Sequence, residues 1–309
     1  MKKVLGDRYP ARSEKSLLLV NNLSYASRFW IMEDLKQAII SYSSRELEQR
    51  KNWYSPAAEA YNKARPRYPQ DLIHQVVEIA QLTTDSKILE VGCGPGTATV
   101  AFAELGCSMI CLEPNPDFVQ LAQQNCQPYP NVKIQQTSFE EWTPLTLEFD
   151  AVLAASSFHW ISPEVGYPKA ANVLKDGGYL ILLWNKELQP CYEVYQRLSE
   201  VYQVHAPSLN RYEDRETQEE ILRGLGNIVI DSGQFKNLIP GQVTFKLTYT
   251  VDEYLTLLNT YSPYLKLDPQ IKEALFTGLR HVIEHDFGGS LQLSSISAFH
   301  IAQKNYLSV

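Results

Sequence analysis

Between Ile88 and Glu113 the chain reads ILEVGCGPGTATVAFAELGCSMICLE: an apolar run, a three-glycine turn, a helix-length segment, a second apolar run and a terminal acid. This order describes one strand–helix–strand unit, and it constrains the fold more than any other stretch. In such a unit the glycines let the backbone pass close beneath a ligand at the helix N-terminus. The acid after the second strand is placed to hold both hydroxyls of a ribose. A nucleotide-type cofactor is implied.

The spacing bears on which one. Gly92, Gly94 and Gly96 form G-x-G-x-G, and Thr97 stands where the dinucleotide pattern G-x-G-x-x-G needs its third glycine. That glycine serves close helix packing beside a pyrophosphate, so its displacement weighs against NAD. Glu90, two residues before the first glycine, would repel a pyrophosphate. A cofactor with an α-amino group and a sulfonium tolerates or attracts such a charge. S-adenosylmethionine has both.

The rest of the chain continues the alternation. Asn115-Pro116 starts a helix striped by Phe118, Leu121 and Ala122, and 132–136 reads as a third strand. Residues 149–155 form a buried fourth strand. The helix after it is expected to stop at Lys175-Asp176-Gly177-Gly178, ahead of a fifth strand over 179–184. This pace implies a doubly wound, mostly parallel α/β sheet. Beyond Trp184 the reading gives two polar helices over 190–226, strands at 243–247 and 295–302, and between them a helix with a capping box of Thr250 and Glu253. The segments near 187–226 and 250–288 are expected to lie over the cofactor crevice as helical lid insertions.

Composition narrows the function classes. At 309 residues and 44% hydrophobic content the chain can bury a full core, as one large or two small domains. A net charge of −7 argues against a dedicated nucleic-acid binder. Five cysteines without a C-x-x-C pair give neither a disulfide framework nor a zinc knuckle, which fits a reducing, cytoplasmic setting. Apolar runs of only a few residues, such as 17–20, leave no membrane span or signal peptide to expect. Residues 1–50 read as an N-terminal extension: 1–31 lack a clear period, and Met32 is an alternative start. From 51 to 309 the chain reads as one domain. Ser55-Pro56 signals a short helix, with Ser55 as its cap, that ends at Arg65-Pro66, and a second helix follows with Leu72, Val76, Ile79 and Ala80 on one face.

The segment 89–97, LEVGCGPGT, with Glu113 downstream, resembles the first motif and the ribose-binding acid of the class I S-adenosylmethionine-dependent methyltransferases. The stretches Tyr61-to-Pro69 (YNKARPRYP), Ala155-to-Trp160 (ASSFHW) and Asp252-to-Ser262 resemble the trans-aconitate methyltransferase-like subgroup. The likeness covers roughly residues 50–305. It implies a seven-stranded Rossmann-like methyltransferase fold, S-adenosylmethionine as cofactor, and a small-molecule methyl acceptor, a carboxylic acid if the subgroup holds. No metal, nucleic-acid partner or membrane partner is implied, and the oligomeric state is left open. Cofactor contacts are expected from Tyr61, Arg65, Glu90, Gly92, Cys93, Gly94, Glu113, Pro114, Ser138, Phe139 and Ala155, and the acceptor pocket from Trp160, Trp184 and Tyr261.

Several of these residues have an ordinary structural alternative. Glu90 can order the turn through backbone amides, Phe139 and Trp184 can be core aromatics, and Arg65 can pair with a surface acid. Cys93 reads as a small residue filling a tight turn, with no base or metal partner to activate it. His159, following the fourth strand between Phe158 and Trp160, is the candidate catalytic residue, as a proton acceptor or an orienting hydrogen-bond partner; a packed histidine is the alternative. Two other functions stay open: a nucleotide-linked oxidoreductase and a noncatalytic S-adenosylmethionine-binding protein.

Overall fold

A computed structural model describes residues 35–144 and 149–305. The expectations for 1–31 and for Met32 lie outside the described residues. Residues 35–43 are helical (α1), followed by α2 (Leu47–Lys51) and a 3₁₀ turn (Ser55–Ala57) that runs into α3 (Ala58–Ala64). Next come α4 (Gln70–Ile79), β1 (Lys87–Val91), α5 (Thr99–Glu104), β2 (Ser108–Leu112), α6 (Pro116–Asn125), β3 (Val132–Gln135) and β4 (Phe149–Ala155). The second half holds α7 (Pro163–Val173), β5 (Leu174–Asn185), the two-residue β6 (Gln189–Pro190), α8 (Tyr192–His205) and α9 (Arg215–Asp231). It closes with β7 (Phe235–Thr250), α10 (Val251–Leu258), α11 (Ser262–Leu265), α12 (Pro269–Asp286) and β8 (Ser290–Lys304).

The sheet runs β3-β2-β1-β4-β5-β8, with β6 continuing one edge of β8 and β7 paired to its other edge. The first five strands are parallel, and β8 joins β5 antiparallel. The expected doubly wound, mostly parallel sheet is present, with seven long strands. Strand periodicity divides the side chains between two apolar layers. Leu89, Val152 and Leu182 pack with Tyr167 of α7 and Leu222 of α9, while Ile88, Leu153 and Ile181 pack with Leu72, Ile73 and Val76 of α4 and Phe102 of α5. Each fully buried Leu, Ile or Phe contributes about 1.5–3 kcal/mol. A third layer, with Leu198 of α8, Leu257 of α10, and Leu275 and Leu279 of α12, gives the insertions a core of their own.

Local signals explain most boundaries. The Asn115 side chain caps α6 at the Phe118 amide, and the expected box at α10 is complete: Thr250 accepts from the Glu253 amide while Glu253 accepts from Thr250 N at 2.8 Å. Three expectations are corrected. Helix α7 ends at Val173, and 175–178 belong to β5, where the register against β4 jumps between the Phe149–Leu174 and Ala151–Tyr179 pairs. The glycines there serve that irregularity instead of a helix stop. Ser55 sits inside its 3₁₀ turn and caps nothing; its hydroxyl accepts from Asn115 Nδ2 at 2.9 Å. The strand expected at 243–247 is β7, sixteen residues long.

Pro240-Gly241 hid the length of β7, since the pair reads as a turn. On a strand bonded only to β8, proline loses no ladder bond that matters, and Gly241 lies opposite Phe299. A Cβ built on Gly241 would sit 2.1 Å from Phe299 Cζ, so the glycine leaves the buried ring its place. Gly241→Ala is therefore expected to push Phe299 off its seat and lower the unfolding free energy by about 1–3 kcal/mol in urea titration. An unchanged midpoint would show that the ring moves freely.

Candidate active site

The carboxyl ends of β1, β2 and β4 open on a cavity of about 470 Å³. Its floor is the turn after β1. There the Gly92 and Cys93 amides both donate to Leu112 O, at 2.8 and 3.1 Å, which ties the turn to the end of β2. Gly92 has φ +68°, and a Cβ on it would meet Ser157 Cβ at 2.7 Å. Gly94, at φ +56°, has nothing within 4 Å of where its Cβ would be, so the backbone there faces open space.

Glu113 stands beside this turn. Its Oε2 accepts from the Gly94 amide and its Oε1 from the Asn115 amide, both at 2.8 Å, and each oxygen keeps a second lone-pair site. Burial raises its pKa to about 7 against the pull of those two amides. Pro114 and Cys93 line the cavity alongside it, as do Ser138, Phe139 and Ala155. Phe139 does double duty: it reaches the cavity wall yet is 2% exposed and stacks on Trp142. The Ser138 hydroxyl donates to Glu141 Oε2 at 2.9 Å. Cys93 is a buried thiol whose pKa is pushed up by its neighbour Cys111 and by burial, which fits the reading of an unreactive turn residue.

Glu90 is placed differently from expectation. It does not line the cavity: it is fully buried behind the turn, accepting from Thr99 Oγ1 at 2.6 Å and from Cys111 Sγ at 3.6 Å. Its other oxygen, Oε1, has no partner, and burial lifts its pKa to about 7.

The leader supplies the opposite wall. Arg65 Nε donates to Thr260 Oγ1 at 2.8 Å and Nη2 to Thr260 O at 2.9 Å, and the guanidinium lies 4.0 Å from the Tyr261 ring and 4.9 Å from that of Tyr61. The surface ion pair considered for Arg65 is not formed. Among the described residues, every other cation lining the cavity has a carboxylate: Arg50 with Glu140 at 2.6 Å, Lys51 with Glu48 at 2.7 Å, Lys186 with Glu213 at 2.9 Å and Arg211 with Glu187 at 3.4 Å.

His159, Trp160 and Trp184 form an aromatic side of the cavity. Tyr42 of α1 meets the His159 ring edge-on at 5.6 Å and Trp160 at 4.7 Å, and His159 lies 6.0 Å from Trp184. Burial lowers the His159 pKa to about 4, so its imidazole is neutral at pH 7. Its Nδ1 is sealed without a partner. Trp184 is held from behind, its Nε1 donating to His300 Nδ1 at 3.0 Å. Ser156 has φ +54°, unusual for a serine, and its hydroxyl meets Tyr68 OH at 3.1 Å.

The structure thus brings together every expected site residue except Glu90, from seven separate segments. Sequence reading missed Tyr42, Arg50, Tyr68, Asn185, Arg211 and, behind the wall, His300. Tyr68 had a signal, as part of YNKARPRYP; the others lie in no local pattern. Helices α1 and α2, which fall largely in the expected N-terminal extension, also wall the cavity. Among the described residues no group of three or more His, Cys, Asp or Glu is placed to hold a metal, and no helix is long and apolar enough to cross a membrane.

Comparison with known proteins agrees with this geometry. Residues 88–178 match the model of a methyltransferase domain. Over these residues the chain carries a methyltransferase domain. It is similar to uncharacterised methyltransferases of Mycobacterium bovis and Mycobacterium tuberculosis, at 30% identity over 132 residues, 43% of this chain and 51% of theirs. The chain thus spans about half the length of these curated relatives. An uncharacterised methyltransferase-like protein of Schizosaccharomyces pombe is 28% identical over 72% of this chain and 82% of its own. In fold, the chain is similar to a proposed type II methyltransferase of Anaeromyxobacter dehalogenans, with a TM-score of 0.60, 18% identity, and coverage of 77% of this chain and 97% of the other. S-adenosylmethionine is the cofactor of this class. The cavity fits it: a backbone cradle at Gly94, a carboxylate with free acceptor sites at Glu113, and at Arg65 a cation bridged to no described acid.

The placement of Glu90 has a consequence for stability. Its pKa in the folded protein lies above the ordinary 4.5, so its contribution is fully present below pH 4.5 and is lost as pH rises to about 7. Glu90→Gln removes that loss. In urea titrations without added cofactor, the variant is expected to gain on the parent between pH 5 and pH 8, by about 3 kcal/mol at most. An equal difference at the two pH values would show a carboxyl that ionises normally.

Proposed function

We propose that this chain transfers a methyl group from S-adenosylmethionine to a small-molecule acceptor. The observation that carries the reading is Glu113: a buried carboxylate, pinned by the Gly94 amide at the floor of the cavity, with one acceptor site free on each oxygen. Two ribose hydroxyls match those sites. Ser138 and Phe139 flank the place of the adenine, and Pro114 and Cys93 close in beside it. Arg65 pairs with the cofactor carboxylate, the Thr260 bonds and the two tyrosine rings holding its guanidinium in place. Glu90 acts from behind, by ordering the turn through Thr99.

Bound S-adenosylmethionine supplies an activated methyl group. The protein's part is positioning: Trp184, Tyr261 and the aromatic side around His159 and Trp160 hold an acceptor in line and away from water, next to Ala155 on the cofactor side. A noncatalytic binding protein would need no such second compartment. The dinucleotide-oxidoreductase reading is disfavoured by the match to a methyltransferase domain. The carboxylic-acid acceptor implied by the trans-aconitate resemblance has less support. Four of the five lining cations already hold carboxylates, and the fifth, Arg65, is taken by the cofactor.

Calorimetry tests the cofactor reading. The parent is expected to bind S-adenosylmethionine, and Glu113→Ala, which loses two hydrogen bonds to a charged group, to weaken binding about 100-fold. Gly94→Val fills the cradle and is expected to do the same. Because the ribose hydroxyls donate to the ionised carboxylate, affinity should rise with pH through about 7 and level off above it, and Glu113→Ala should lose that dependence. Parent-like affinity in both variants overturns the assignment.

A further inference from the structure

We propose that the acceptor lodges an uncharged, apolar body between α1 and α9 and presents a hydroxyl group to His159. This inference rests on the methyl-transfer reading above. It names the acceptor class for the part of the cavity that the cofactor leaves free.

The compartment is apolar on both sides. Leu35 and Ile39 of α1 and Leu222 and Leu225 of α9 line the cavity with Trp184. Ile39, Leu225, His159 and Trp184 also meet around a small void of about 10 Å³, so the histidine sits among these groups. Among the described residues no acid and no cation is bonded to His159, and burial lowers its pKa. A charged acceptor placed there would lose its hydration and find no counter-ion. A flat or branched hydrocarbon finds ring faces and aliphatic side chains instead.

His159 offers the ligand a polar group among these apolar walls. The His159 Nδ1 is sealed off, whereas Nε2 makes no hydrogen bond to any described residue, and the side chain lines the cavity. A neutral imidazole bonds a hydroxyl well, while a carboxylate would rather meet a cation. In the transfer the hydroxyl oxygen forms its bond to the methyl carbon as the methyl–sulfur bond breaks, and that electron pair stays on sulfur. The hydroxyl proton passes to Nε2 and from there to water. The products are a methyl ether, S-adenosylhomocysteine and a released proton.

The test is a binding experiment on the full chain saturated with S-adenosylhomocysteine, whose own affinity is measured first. Three probes share one skeleton: 2-naphthol, 2-naphthoate and naphthalene. The parent is expected to bind 2-naphthol at least tenfold more tightly than either of the others, followed by quenching of tryptophan emission. Ile39→Asp should weaken 2-naphthol at least tenfold while leaving S-adenosylhomocysteine binding unchanged. His159→Phe keeps the ring packing and should erase the preference for 2-naphthol over naphthalene. A chain that binds S-adenosylhomocysteine yet takes 2-naphthoate as well as 2-naphthol, or takes neither, overturns this inference alone. One that does not bind S-adenosylhomocysteine overturns the methyl-transfer reading and this inference with it.

Discussion

Everything in the site depends on how the turn after β1 is tied down. The Gly92 and Cys93 amides bond to Leu112 O, and the Gly94 amide bonds to Glu113, so the end of β2 holds the turn at two successive residues. Parallel pairing of β1 and β2 brings Val91 level with Leu112, which makes this geometry possible. A carboxylate that is buried and already accepts two amides is poorly solvated, and it gains most from a ligand that brings hydroxyls. Structural support and ligand affinity therefore come from the same atoms.

The second dependence is between the leader and the last insertion. Arg65 reaches Thr260, Tyr249 OH donates to Ala64 O, and Trp53 Nε1 donates to the Ser262 hydroxyl. These bonds span about two hundred residues of sequence and close one wall of the cavity. They also explain why an arginine can be buried without an acid. Its charge is spread over two tyrosine faces and a threonine, and one prong is left for a ligand. Pairing of the remaining cations with acids leaves the other end of the cavity electrically quiet, and α1 and α9 make it apolar.

The aromatic side shows how a polar atom is tolerated in such surroundings. Trp184 spends its one donor on His300, from a neighbouring strand, and so presents a ring face to the cavity. His159 has no such partner, and burial keeps its imidazole neutral. An unpaired neutral nitrogen costs far less than an unpaired charge.

The sequence by itself determined the sheet, the glycine turn, Glu113 and the caps of α6 and α10, because each is set by neighbours within a few residues: apolar period, backbone freedom, or a side chain bonding an amide three positions away. It misread 175–178 and the length of β7, where Gly177-Gly178 and Pro240-Gly241 look like stops but serve a register jump and a buried ring across the sheet. Only the tertiary structure decided that Glu90 lies behind the turn, that Arg65 is, among the described residues, the lining cation without an acid, and that Tyr42, Leu222 and His300 shape the space around His159. Those facts rest on distances between segments far apart in the chain, and no local pattern encodes which carboxylate will reach which cation once the chain is packed.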